Sequence, residues 1–229
     1  FLAELGVPAF KVASFEIVDL PLVRLMAEQG VPVIVSTGIA REPEIHAAVD
    51  ACRSVGNEDL VVLKCTSSYP APFAELNLRT IADIPDRFGT LAGLSDHTMT
   101  VTAAVAAVAL GACVIERHLI VDRALGGLDS QFSTDAAEFT DLVARIREAE
   151  AGLGEVTYEL TPRAAASRRH ARSLFVVADV RAGEVVAGEN VRSIRPADGM
   201  DPARLPQVLG RRFAVDVTAG TPLADDLLA

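Results

Sequence analysis

The chain has 229 residues, half of them hydrophobic, and a formal net charge of −10. That length holds one or two domains with sizeable cores. The apolar content excludes a disordered chain, and the acidic balance argues against a nucleic-acid partner, which a basic excess would mark.

No run reaches the ~20 uninterrupted apolar residues of a membrane span. The longest candidate, residues 101–115, is Ala-rich and interrupted by Gly111, and reads as a buried helix leading into a strand. Three scattered cysteines, Cys52, Cys65 and Cys113, suit neither a disulfide framework nor a zinc cluster. A reducing, cytoplasmic setting is the expectation. The opening Phe1-Leu-Ala-Glu-Leu-Gly6 has the form of neither a signal peptide nor a translation start. It reads as a helix tail with a Gly stop, as though the chain begins in mid-domain.

Residues 9–14, 32–37, 60–66, 91–95 and 113–118 are short apolar runs with small or polar ends, and read as buried parallel strands. Helical patterns lie between them at 20–29, 42–55, 78–88 and 101–110, with Gly30, Gly56 and Gly111 as stops. Their spacing is that of β/α units. About five units are visible, where a closed TIM-type barrel has eight, so the sequence predicts a partial α/β barrel over 1–154. It closes on an amphipathic helix at 135–153, with Phe139, Leu142, Val143 and Ile146 on one face. Residues 155–171 are polar and Arg/Ala-rich, as a linker is. From 172 to 229 short apolar runs broken by glycines replace any helical period, which predicts a small β-rich unit.

Polar residues recur where the predicted strands end. His97 closes Leu91-Ala-Gly-Leu-Ser-Asp-His97, and His118 closes Ala112-Cys-Val-Ile-Glu-Arg-His118. Successive strands of such units lie side by side with like ends together. Two imidazoles are therefore expected at the carboxyl-terminal rim, where these folds keep their active sites. With nearby carboxylates they suit a divalent ion of the Mn²⁺ or Zn²⁺ kind. Lys11, Ser14 and Glu16 end the first run. Ser36-Thr37-Gly38, Thr66-Ser67-Ser68-Tyr69 and Ser95-Asp96 end the next three, and Gly126 to Ser133 forms a loop beyond the last. Converging hydroxyls and an amine suit a phosphate or carboxylate.

Lysine usage adds to this. The chain has nineteen arginines and two lysines, Lys11 and Lys64, both inside strand-like runs. An amine among apolar residues needs a partner or a cleft, unless it snorkels from an edge strand. Plain structural roles also exist for the other residues. A strand-end histidine can be a hydrogen-bonded structural group, Ser36-Thr37-Gly38 an ordinary turn, and Asp96 and Glu116 orienting groups that do not react. His46 and His170 read as solvated.

Several stretches together resemble the sialic acid synthase family: Phe10-Lys-Val-Ala-Ser14, Val35-Ser-Thr-Gly38, Cys65-Thr-Ser-Ser-Tyr-Pro-Ala-Pro72, Gly93-Leu-Ser-Asp-His-Thr98, Gly111-Ala-Cys-Val-Ile-Glu-Arg-His118 and Ile194-Arg-Pro-Ala-Asp-Gly199. The Cys65–Pro72 stretch, Asp129-Ser-Gln-Phe-Ser133 and Arg172-Ser-Leu are most like its pseudaminic acid branch.

The resemblance implies a barrel followed by an antifreeze-like (SAF) domain, with three further β/α units before Phe1. It implies metal-dependent condensation of phosphoenolpyruvate with a 2,4-diacetamido-trideoxyhexose, and a domain-swapped homodimer. By likeness His97 and His118 hold the metal, Mn²⁺ first, with Mg²⁺ or Co²⁺ as substitutes. Lys11, Ser14, Ser36, Ser67 and Ser95 line the phosphoenolpyruvate site, Glu16, Tyr69 and Asp129 face the sugar, and Arg195 reaches the partner's site. Arg117 departs from the lysine common there. N-acetylneuraminate or legionaminate synthesis, and a non-catalytic carbohydrate-binding module, are the alternatives.

Overall fold

Five short, largely apolar runs form one parallel sheet. Its strands are β1 (Phe10–Val12), β2 (Val33–Ser36), β3 (Leu60–Cys65), β4 (Leu91–Asp96) and β5 (Val114–Arg117), paired in sequence order. The computed structural model describes Phe1–Ala229, and the chain packs as two units, Phe1–Glu155 and Val156–Ala229. The first unit is a curled half-barrel followed by its helices. The partial barrel and the small β-rich unit are thus the architecture the sequence predicts.

Helices α1 (Leu20–Ala27), α2 (Glu42–Arg53), α3 (Thr80–Phe88) and α4 (Thr102–Ala109) connect the strands. Val12, Val33, Val35, Val62 and Leu94 share one core with Val23, Ala48, Ile81, Ile84 and Ala107 of the helices. Alternation turns the intervening strand residues to the concave face. There Leu63 meets Gly93, where an added Cβ would lie 2.4 Å from the Leu63 Cδ2.

Helix α3 starts two residues later than the sequence suggests. Asn77 takes a left-handed backbone (φ 47°), so the chain turns before the helix begins. Helix α5 (Ala136–Leu153) packs on α4. Its cap is reciprocal: Asp135 accepts from the Glu138 N–H, and Glu138 accepts from the Asp135 N–H. Of its apolar face, Leu142 alone is fully buried.

The second unit begins with order where a linker is expected: α6 (Pro162–Ser167), capped by Thr161, and a 3₁₀ turn at Arg168–His170. Its ladder is short, β6 (Ser173–Val176) antiparallel to β7 (Val191–Ile194). Single bridges such as Val180 to Val217 and Phe213 to Leu228 complete it, and α7 (Leu205–Val208) is the one short helix among them. Leu174, Val176, Phe213 and Leu223 form its core. No helix of the chain is long and apolar enough to cross a membrane.

Candidate active site

Tight turns follow the strands, and parallel pairing brings those turns to one rim. Strand β1 ends at Val12, so Ser14 lies in the turn beyond it, not in the strand. The buried Ser14 Oγ is 2.8 Å from the Ser67 Oγ. Gly38 lets the loops after β1, β2 and β3 meet. An added Cβ would lie 2.1 Å from the Ser14 Cβ and 2.4 Å from the Ser67 Oγ, and its φ of +42° also favours glycine. Ser36 is buried, and its hydroxyl has no hydrogen-bond partner. A buried, unsatisfied donor facing such a rim is what an anionic ligand would satisfy.

Strand β4 carries Ser95, whose Oγ donates to the Glu116 Oε1 at 2.8 Å. The other Glu116 oxygen lies 3.4 Å from the Lys11 Nζ, which also donates to the Val12 carbonyl at 2.9 Å. Lys11 therefore has both the partner and the concave setting its sequence context calls for. Lys64 differs. It shares the helix-facing side of β3 with Val62 and opens into a cavity of about 810 Å³ lined by Thr37, Ile45, Thr80, Ile84 and Phe88. Burial lowers its pKa, and its amine donates to the Cys65 carbonyl. It takes no part in the rim.

His97 and His118 come together, with ring centroids 5.3 Å apart. The His97 Nδ1 lies 3.0 Å from the Thr66 carbonyl. A carbonyl only accepts, so Nδ1 carries the proton and Nε2 keeps its lone pair. The His118 Nδ1 lies 3.5 Å from the Asp129 Oδ2. Tyr69 packs against His97 at 4.3 Å and against Phe132 at 5.0 Å, and Phe132 in turn meets His118 at 5.2 Å.

The loop after β5 folds back onto His118. The Thr134 N–H donates to the His118 carbonyl, and the Ser133 Oγ donates to the Asp129 carbonyl. Glu16 stays apart from this cluster. It is exposed, and its carboxylate accepts from the Ala13 N–H at 3.0 Å. His46 and His170 lie elsewhere, the first half-exposed against Phe88 and the second exposed and accepting from Arg169.

Burial pushes the Cys65 thiol up, but contact with His97 outweighs it and leaves the thiol lowered. Burial opposes the His97 charge, yet Cys65 and the Thr66 carbonyl leave that ring raised. Tyr69 is raised, first by burial and then by the Cys65 and Asp129 charges.

The paired rings fit a divalent ion. Two imidazoles bound at ~2.1 Å with a near-tetrahedral angle have centroids about 5 Å apart. A carbonyl behind one ring and a carboxylate behind the other are the usual orienting groups. No third His, Cys, Asp or Glu completes a three-ligand cluster. An ion there would take water or substrate oxygen for its remaining positions.

Arg195 belongs to the second unit, in the loop after β7, and is exposed. The buried Ser173 holds that loop. Its Oγ donates to the Pro196 carbonyl at 2.7 Å and accepts from the Gly199 N–H at 2.8 Å. Gly38, Phe132 and Ser173 are supporting residues to which the sequence alone assigned no role, although each lies in a signature stretch: Val35–Gly38, Asp129–Ser133 and Arg172-Ser-Leu.

A half-barrel whose strand ends gather hydroxyls, an amine and two imidazoles defines the class: a partial β/α barrel protein with a polar strand-end rim. Residues 1–158 match the NeuB family and residues 171–229 the SAF domain. The chain belongs to the NeuB family. It is 40% identical over 225 residues to the pseudaminic acid synthase of Campylobacter jejuni serotype O:23/36, covering 98% of this chain and 66% of that one. It is 39% identical to the pseudaminic acid synthase of Helicobacter pylori, covering 99% and 67%. Among solved structures it is similar to the Bacillus subtilis spore coat polysaccharide biosynthesis protein SpsE, with a TM-score of 0.64, 31% identity, and 100% and 69% of the two chains covered. The chain spans about two thirds of the length of these curated relatives.

Proposed function

We propose that this chain is the catalytic rim and SAF portion of a nonulosonic acid synthase of the pseudaminic type. The reaction condenses phosphoenolpyruvate with a 2,4-diacetamido-trideoxyhexose and releases phosphate. The observation that carries the reading is the meeting of Lys11, Ser36, Ser95, His97 and His118 on one strand-end rim in a chain about 40% identical to pseudaminic acid synthases.

In this reading Lys11 offsets the phosphate charge, while the Ser36 hydroxyl and the Ser14–Ser67 pair donate to phosphate and carboxylate oxygens. Glu116 holds Lys11 and Ser95 in place. His97 and His118 would hold a divalent ion, Mn²⁺ first, which when bound would supply Lewis-acid polarisation of the sugar's aldehyde. Tyr69 and Phe132 wall the histidines and limit water, which protects a cationic centre at C2 until one water adds and phosphate departs by C–O cleavage. Asp129 orients His118 and faces the sugar, and Glu16 is the carboxylate available to move a proton. Arg195, from the SAF unit of a second copy, supplies a cation to the sugar side.

Phosphate release in the whole protein tests this. Release with phosphoenolpyruvate and the 2,4-diacetamido sugar, and little with N-acetylmannosamine, is expected. Preference for N-acetylmannosamine would move the chain to the neuraminate branch. Glycan binding with no phosphate release would make it a carbohydrate-binding module.

A further inference from the structure

We propose that the buried Asp96–Arg117 pair is a positioning clamp that fixes the separation of the His97 and His118 rings and thereby sets metal affinity. The inference rests on the reading of those rings as ligands of one ion. Each member directly precedes one histidine: Asp96 ends β4 and Arg117 ends β5. The two are register partners in the β4–β5 ladder. Alternation turns them away from the face that bears Ser95 and Glu116. They act on the rim through the backbone, not by touching a ligand.

The contacts form a grip on the turn after β4. The Arg117 Nη1 lies 3.4 Å from the Asp96 Oδ2, with side chains 5% and 0% exposed. The Asp96 Oδ1 accepts from the Thr98 N–H at 2.8 Å. The same guanidinium donates to the Thr98 carbonyl and, at 3.0 Å, to the Thr100 carbonyl. His97 sits inside a turn tied down from its own strand and from the neighbouring one. His118 follows the residue that does the tying.

A buried ion pair is weak evidence of stabilisation, because desolvation offsets the attraction; what it can supply is fixed register. This pair has that character. The Asp96 Oδ2 and the Arg117 Nε have no hydrogen-bond partner, so the carboxylate and guanidinium attract without full satisfaction. The well-made bonds go to the turn. Lysine at 117 would keep the charge but lose the fork that reaches two carbonyls at once.

Co²⁺ affinity and visible absorption of the whole protein test the clamp, alongside metal-free circular dichroism and melting. The variants are Arg117→Met, Arg117→Lys and Asp96→Asn, with Ile84→Val as a core control that touches neither histidine. Arg117→Met is expected to weaken Co²⁺ binding by about tenfold or more, the scale seen when a group that orients a metal ligand is removed, and to shift the absorption band. Arg117→Lys falls between it and the wild type, and Ile84→Val lowers melting temperature without moving affinity or band. Where Arg117→Met does not fold, Asp96→Asn and Arg117→Lys carry the same readouts. Folded clamp variants with wild-type affinity and band overturn the clamp and leave the metal reading standing. A wild type that binds no Co²⁺ overturns both.

Discussion

Lys11 and Glu116 stand on the two edge strands of the five-stranded sheet, yet their side chains meet at 3.4 Å. Strands ~4.8 Å apart in a flat sheet would leave those edges about 19 Å from each other. The contact therefore measures the curl, and the curl turns five strand ends into one site. Ser95 joins the same carboxylate from β4. Lysine, serine and glutamate from three strands thus share one polar centre beneath the paired histidines.

Glu116→Gln keeps an acceptor for Ser95 and removes the charge facing Lys11. The pair is about a third exposed, so its loss costs about 0–1 kcal/mol and melting shifts little. The KM for phosphoenolpyruvate is expected to change by about tenfold, ~1.4 kcal/mol of binding. Steady-state kinetics beside a melting curve checks the separation of the two effects.

Gly38→Ala places a methyl 2.1 Å from the Ser14 Cβ and 2.4 Å from the Ser67 Oγ. The Ser14–Ser67 hydrogen bond cannot survive unchanged. Displacement by about 1 Å at such a site costs on the order of 10²-fold in rate. Turnover measured on a variant that keeps its circular dichroism should fall by that order.

The strand ends are legible because each apolar run stops at a hydroxyl or an imidazole, as Ser36, Ser95, His97 and His118 do. Lys64 is not legible in the same way. Strand β3 is buried on both faces, so Leu60 to Cys65 show no alternation to say which side faces the helices. Glu116 is legible as an orienting group, but what it orients is not. Its partner lies on the opposite edge of the sheet, and only the curl brings Lys11 to it. The helix inside the expected linker did carry its signal, a Thr161 cap followed by Pro162 in the first turn, under a composition that reads as polar and irregular. The second unit shows few strands because single bridges do much of its pairing.

Ser173→Ala tests the support behind Arg195. It removes a buried hydroxyl that serves the Pro196 carbonyl and the Gly199 N–H. Leaving buried partners unsatisfied costs about 1–3 kcal/mol, so denaturant unfolding of the second unit should come earlier by that amount. Gly199→Ala should do more, since its methyl would lie 2.2 Å from the Leu174 carbonyl oxygen.

The α5 cap predicts an acid-side dependence of stability. Arg123 first, then the Asp135 N–H, hold the Glu138 carboxyl below its ordinary value. The folded pKa is therefore below the unfolded ~4.3. The stabilisation is complete above that value and is lost as pH falls through the folded one. In Glu138→Gln the melting temperature should sit below wild type by a constant amount near neutrality. The difference should close as pH drops below ~4.

The most direct measurement is a Mn²⁺ titration followed by electron paramagnetic resonance on the whole protein, with His97→Ala and His118→Ala beside the wild type. One tightly bound ion per chain, lost in either variant while both remain folded, is the predicted result. A wild type that leaves Mn²⁺ free, or variants that each retain the ion at wild-type affinity, would contradict the claim that the two imidazoles share one metal.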